Sequence, residues 1–154
     1  MIRKAKHDDL NRIAEIEVFN YRLKFYPIFL DDEFYFGELQ VPTVARRYAD
    51  SLDDLRVWDD GVVKGFILVR DGEVKKLFVE PVLQGHGIGT RLLEYAVEHT
   101  GAKMLWALEK NTGAIRFLDT GTAADAAVGI QLRFCHTHDA EVVEPHLAPI
   151  SKKN

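Results

Sequence analysis

Two Asp-Gly pairs constrain this chain more than any other feature of its sequence. Asp60-Gly61 and Asp71-Gly72 separate three runs, Leu55–Trp58, Val62–Val69 and Glu73–Val79, each rich in β-branched and aromatic residues. Asp-Gly is a strong hairpin signal because a two-residue type I′ turn needs positive φ at both central positions. The pattern predicts three antiparallel strands in sequence order, joined by tight turns.

Around this meander the periodicity is helical. After a short strand near Ile2–Lys6, Asp8 and Asp9 stand where a helix N-terminus favours negative charge. Leu10, Ile13, Ala14 and Glu17 follow at helical spacing, so a first helix is expected from about His7 to Asn20. Eight of the sixteen aromatic residues fall between Phe19 and Phe36, with Pro27 and Asp31-Asp32 interrupting them, so one clean helix is not expected there. A second helix is expected near Pro42–Ala49 with Pro in its first turn. Past Pro81, Ile88, Leu92, Leu93, Ala96 and Val97 share one helical face, and Gly101 ends that helix. Met104–Leu108 reads as a buried strand, and Asn111 is placed to cap a short helix through Leu118.

Between the third strand of the meander and the helix lies Gln84-Gly85-His86-Gly87-Ile88-Gly89-Thr90. Three glycines at alternate positions leave backbone N–H groups uncovered, and the loop enters a helix end that carries partial positive charge. Such a loop suits a pyrophosphate. By itself the pattern also fits a glycine-rich turn with no ligand, or a dinucleotide-binding unit with Glu109 as its acidic residue. Against the latter stand Thr90 in place of a third glycine and four intervening residues, Pro81 to Gln84. The preceding strand also closes an antiparallel meander, where a parallel βαβ unit would be required.

The stretch from Val74 through Val79-Glu80-Pro81 to Gln84-Gly85-His86-Gly87-Ile88-Gly89 resembles the central motif of the GNAT superfamily of N-acetyltransferases. In that motif a strand ending in Val-x-Pro is followed by Gln/Arg-x-x-Gly-x-Gly/Ala. Leu108–Phe117 resembles the family's next strand and its Asn-x-x-Ala-Ile helix, so the likeness runs from Met1 to about Phe117. It implies an α/β fold: a mixed, mostly antiparallel central sheet flanked by helices, with the cofactor between strands ending near Val79 and Leu108. It implies acetyl-CoA as co-substrate, held by the backbone of Gln84, Gly85, His86, Gly87, Ile88, Gly89 and Thr90. Leu77, Phe78 and Val79 would pair with the pantetheine arm, one of their amides polarising the thioester carbonyl, and Asn111 would hydrogen-bond nearby. The reaction implied is direct attack of a primary amine, of a small molecule or peptide, on the acetyl group. Glu80 is the candidate base. The aromatic segment would cover the acceptor, with Tyr21, Tyr26 and Tyr35 the candidate contacts.

The likeness breaks at Leu118, where the family commonly has the tyrosine that protonates the departing thiolate. Residues 1–118 are therefore expected to form a GNAT-like acetyl-CoA-binding core, and residues 119–154 a divergent segment of the same domain or an out-of-frame ending. A non-catalytic acyl-CoA-binding protein is the alternative function, and a nucleotide-binding module a third. Cys135-His136-Thr137-His138-Asp139 clusters metal-capable side chains at spacings unlike those of structural zinc sites, so no metal is expected. The net charge of −4 favours neither nucleic acid nor an anionic membrane, and no apolar run approaches the ~20 residues of a membrane span. A single cysteine and a polar N-terminus point to the cytoplasm. Family members often dimerise, so a homodimer is compatible with the resemblance.

Overall fold

The computed structural model describes residues 1–108, 112–119 and 130–135. Through these residues runs a six-stranded sheet in sequence order. Its strands are β1 (Ile2–Lys4), β2 (Leu55–Asp59), β3 (Val63–Arg70), β4 (Glu73–Val79), β5 (Met104–Leu108) and β6 (Gln131–Cys135). Strands β1 to β4 pair antiparallel, while β5 lies parallel to β4 and β6 parallel to β5. The mixed, mainly antiparallel sheet expected from the sequence is present.

The two Asp-Gly turns differ. Asp71 and Gly72 both have positive φ (54° and 78°) and join Arg70 directly to its partner Glu73, as a type I′ turn requires. At the other pair only Gly61 is left-handed, with φ 112°. The strands close one residue later at Asp59↔Val63 after a bulge, so this loop has three residues rather than the expected two. The reason is local: Asp59 accepts the Gly61 N–H on its own carboxylate at 2.9 Å, a side-chain turn that competes with the tighter one.

Helices cover both faces of the sheet. On one face lie α1 (Leu10–Asn20) and α3 (Val41–Tyr48), whose Ile13, Ile16, Val44 and Tyr48 pack with Val57 and Phe66 of the sheet. Each such large apolar side chain contributes roughly 1.5–3 kcal/mol by burial. On the other face α4 (Ile88–Thr100) sets Leu92, Leu93 and Ala96 against Ile67 and Val69. Its close approach depends on Gly65, where a Cβ would lie 3.2 Å from Ile88 Cγ2 and 3.3 Å from Leu92 Cδ1. Gly101 ends α4 in the left-handed conformation, as its position in the sequence predicts.

The aromatic segment is more helical than its prolines and acids suggest. A π-helical turn, Tyr21–Phe25, carries α1 without a break into α2 (Tyr26–Phe29), and Pro27, second in α2, follows that wider turn without ending the helix. The interruption comes instead at Leu30, left-handed with φ 54°. A second π-helical turn, Glu33–Glu38, then leads to α3. The last helix, α5, spans Thr112–Asp119. Asn111 and the His136–Asp139 part of the metal-capable cluster lie outside the described residues. No helix of the described residues is long and apolar enough to cross a membrane.

Asp9 ties the entrance of α1 to the sheet edge. Its carboxylate takes the Lys6 N–H at 2.8 Å and two Arg3 guanidinium bonds at 2.8 and 3.0 Å, while Arg3 also reaches Asp59 at 3.0 Å. The Arg3 hydrogen bond, against some desolvation, lowers the Asp9 carboxyl below its ordinary value, and the Lys6 amide adds to the effect. A lowered carboxylate stabilises the fold fully above its unfolded value and ceases to do so as pH falls through its folded one. Asp9→Asn is expected to cost about 1–3 kcal/mol at neutral pH. That cost should shrink as pH falls below 3.8. Urea unfolding of both proteins across pH checks it; a cost unchanged in acid would assign the effect to packing.

Candidate functional site

The sheet comes apart where β4 and β5 diverge. These strands pair only at Glu73↔Met104 and Val74↔Leu105, after which β5 continues alongside β6. From Lys75 to Val79 one edge of β4 faces no strand among the described residues. Which groups line that edge follows from the ladder. The Glu80 N–H donates to Lys64 O at 2.9 Å, toward β3, and backbone groups of an antiparallel strand alternate sides. Phe78 and Lys76 therefore bond to β3, and the N–H groups of Leu77 and Val79 point into the opening. The Val79 carbonyl on that side is already occupied, accepting from Asn20 Nδ2 at 3.0 Å and Gln84 Nε2 at 3.1 Å.

Beyond β4 the chain makes a short 3-10 turn, Pro81–Leu83, and enters α4 through Gln84–Gly87, which is exposed. Gly87 precedes the helix with φ 88° and ψ 0°, a conformation that a side chain would strain. The Arg91 N–H closes the first helical turn on Gly87 O at 3.1 Å. The N–H groups of Ile88, Gly89 and Thr90 thus have no intrahelical acceptor, and they sit at the positive end of a 13-residue helix. An anion with several oxygens fits this end. Contrary to the expectation that the meander excludes a parallel βαβ unit, β4, this loop, α4 and β5 form one: β4 both closes the meander and opens the crossover.

Gly89 serves a different purpose from Gly87. A Cβ there would lie 3.1 Å from Phe117 Cζ and 3.7 Å from Val79 Cγ2, so its bareness lets α5 seat on the start of α4 beside the end of β4. Ile88 and Thr90 are buried, which leaves their backbone as the part available to a ligand. The exposed His86 side chain folds back so that Nδ1 lies 3.0 Å from Leu83 O and 3.2 Å from Gln84 O.

The remaining sequence candidates are spread around the opening. Glu80 follows Val79 directly, and its Oε1 lies 2.7 Å from Arg12 Nη1, a pair that ties α1 to the end of β4. Tyr21 and Tyr35 lie in the core, 1% and 0% exposed, while Tyr26 alone of the three tyrosines is partly exposed. Its hydroxyl donates to Asp32, which raises the phenol above its ordinary value. Leu118 packs against the core cluster under α4.

Four residues near the opening were not among the sequence candidates. Asn20 holds Val79 O and accepts Gln84 Nε2 at 3.1 Å, and Lys24 Nζ reaches Gln84 Oε1 at 2.9 Å. The Gln84 side chain is thereby turned toward α1, leaving its backbone for the loop. Glu17 and Lys76, 1% and 9% exposed, form a buried ion pair. The signal for Asn20 and Glu17 was present: both fall on the apolar face of α1 set by Leu10, Ile13 and Ala14, where a polar side chain is expensive unless partnered.

The family model described as the acetyltransferase (GNAT) family matches residues 10–121. No curated protein matches the chain. Among solved structures, apo YjaB from Escherichia coli superposes with a TM-score of 0.61 at 22% identity, covering 77% of this chain and 78% of that one. The PaiA N-acetyltransferase from Thermoplasma acidophilum, solved in complex with coenzyme A, gives 0.57 at 18% identity over 77% of this chain and 86% of that one. PH1933 from Pyrococcus horikoshii also gives 0.57, at 22% identity over 77% and 85%. At these identities the likeness is one of fold.

The two loop glycines separate experimentally. Gly87→Ala is expected to lower stability by about 1–2 kcal/mol through backbone strain at a site with open space around it. Gly89→Leu should lower it more, and Phe117→Ala in the same chain should recover part of that loss, since the conflict is with the ring. Thermal unfolding of the single and double variants checks both; no recovery in the double would place the Gly89 constraint in the backbone.

Proposed function

The chain belongs to the GNAT acetyltransferase family, whose co-substrate is acetyl-CoA, and we propose that it transfers the acetyl group to a primary amine of a small molecule or peptide by direct attack. The observation that carries this is the pairing of two donor sets at one end of β4. The edge amides of Leu77 and Val79 face the gap left by β5, and the loop Gln84–Thr90 presents the unbonded amides of Ile88, Gly89 and Thr90 just beyond it. A long ligand with a diphosphate and an amide-bearing arm matches that order. That the Thermoplasma N-acetyltransferase, which shares this fold, was solved with coenzyme A supports this class of ligand.

On this reading the loop amides from Gln84 to Thr90 hold the diphosphate. Leu77 and Val79 supply strand-like hydrogen bonds to the pantetheine arm, with Phe78 between them turned to β3. Asn111 adds a hydrogen bond near the arm. One of the two edge amides donates to the thioester oxygen, where charge accumulates as the amine nitrogen bonds to the acetyl carbon, before the carbonyl re-forms and the C–S electron pair leaves on sulfur as the coenzyme A thiolate; such a donor is worth roughly 3 kcal/mol. The attacking amine must shed a proton, and Glu80 receives it, directly or through water, on the oxygen that Arg12 does not engage. Tyr26, with Tyr21 and Tyr35 behind it, belongs to the acceptor wall.

A second function is favoured by one observation. Leu118, where the resemblance implies a tyrosine, is packed against the core and carries no proton. A chain without that acid fits an acyl-CoA-binding protein that does not turn over. The net charge and single cysteine support a cytoplasmic protein that binds neither nucleic acid nor membrane, and residues 119–154 are taken as a divergent segment of the same domain.

Calorimetry is expected to show acetyl-CoA and coenzyme A binding and NAD failing to bind; preference for NAD would return the loop to the nucleotide-binding class. Thiol release should then appear with at least one member of an amine panel, whereas tight binding without turnover on any amine would establish the binder. For an active acceptor, Glu80→Gln should reduce kcat by about 10²-fold or more with acetyl-CoA affinity kept. A reduction under twofold would move the base elsewhere.

A further inference from the structure

The least expected group in this fold is a lysine on the central strand with its ammonium in the core. The Lys76 side chain, 8% exposed, leaves β4 on the face covered by α1. Its Nζ lies 3.2 Å from Glu17 Oε1 and donates to the Tyr21 hydroxyl at 2.7 Å. The same ammonium stands 5.0 and 5.9 Å from the ring centroids of Tyr21 and Phe78. Tyr48 of α3 donates to the same oxygen, Glu17 Oε1, and burial followed by the Glu17 charge raises that phenol well above its ordinary value. Four elements, α1, the π-helical turn, α3 and β4, thus meet on one connected set of polar groups.

Stability alone is a poor account of such a set. Two charges removed from water recover their desolvation only with good geometry, and an apolar pair of similar volume stabilises a core as well or better. What an apolar pair lacks is direction. Here the direction concerns the opening, because the turn of helix from Glu17 to Tyr21 grips β4 at two points. Asn20 holds the carbonyl of Val79, and Glu17 with Tyr21 hold the side chain of Lys76. Those grips fall on Val79 itself and on Lys76, next to Leu77, and Leu77 and Val79 are the residues whose amides face the gap. The same helical stretch continues through Phe25, whose ring lies 4.9 Å from that of Tyr21, into Tyr26.

We propose that Lys76 is a positioning residue for the acceptor: through Glu17 and Tyr21 it fixes the aromatic wall Tyr21–Tyr26 in register with the coenzyme edge of β4. The proposal rests on the acetyl-transfer reading for its substrate and adds a determinant that the reading does not contain. Lys76 does not touch the reacting atoms. It sets where the wall stands relative to them, so its loss acts on acceptor binding and leaves the coenzyme side intact.

The test compares Tyr21→Phe, Lys76→Arg, Lys76→Met and the double variant Glu17→Leu/Lys76→Met in the full chain. Four quantities are read: melting temperature, acetyl-CoA affinity by calorimetry, KM and kcat for the best amine of the panel, and amide hydrogen exchange over Tyr21–Phe25. Lys76→Met alone leaves Glu17 without its cation and should melt earlier. The double variant removes the unpaired charge but leaves the buried Tyr48 hydroxyl without Glu17, so it should regain part of the melting temperature and bind acetyl-CoA within twofold of the parent. Its amine KM should nevertheless rise by about fivefold or more, as expected for coupled neighbours, and Tyr21–Phe25 should exchange faster. Tyr21→Phe should move the same way by less, and Lys76→Arg should stay near the parent. A double variant with parental KM and parental exchange would overturn the proposal, leaving the ion pair as core filling. Should that variant fail to fold, Tyr21→Phe decides by the same two readouts. If the parent binds acetyl-CoA but acetylates no amine, the acetyl-transfer reading fails, and the exchange comparison still upholds or overturns the tie.

Discussion

Everything at this site depends on β4 losing its parallel neighbour after two residue pairs. A strand within a sheet spends its backbone groups on both sides. Once β5 turns toward β6, the outward amides of Leu77 and Val79 have no strand to bond, and such groups need water or a ligand. The gap holds because both partners of the parting are fixed elsewhere: β4 stays bonded to β3 through Val79, and β5 stays bonded to β6 along its length.

The second constraint is the angle at which the chain leaves that gap. Pro81–Leu83 turns it, Gly87 takes the left-handed conformation, and α4 starts with three unbonded amides aimed back past the end of β4. On one side of the sheet, Gly65 and Gly89 carry no Cβ, so that α4 lies close on β3 and Phe117 of α5 lies close on α4. On the other side the links are polar: Arg12 to Glu80, Asn20 and Gln84 to Val79, Glu17 and Tyr21 to Lys76. Glycine contacts fix a distance, and hydrogen bonds fix a register. The face under α4 is built with the first and the face under α1 with the second.

The elements with a strong local code were legible from residues alone. Asp71-Gly72 specified its turn, Gly101 its helix end, and the face of Leu92, Leu93 and Ala96 its burial against the sheet. Asp60-Gly61 was misjudged because Asp59, outside the dipeptide, supplies a competing hydrogen bond. In the aromatic segment Pro27 suggested a break that does not occur, because a π-helical turn precedes it, and Leu30 made one that no propensity announces. The glycine loop was legible as the entrance to a helix, but the distinct duties of Gly87 and Gly89 were not, since one answers to backbone conformation and the other to a ring 28 residues away.

What the sequence settled by itself is what short-range chemistry dictates: the meander, the helix that follows the glycines, and the family to which their order belongs. Only the folded chain could decide that Tyr21 and Tyr35 are buried while Tyr26 reaches the surface, that Glu80 carries Arg12, and that Glu17 finds Lys76 59 residues away. The physical reason is the same in each case. A side chain's charge state, exposure and partner depend on what other elements bring within a few ångströms of it, and no local pattern encodes that.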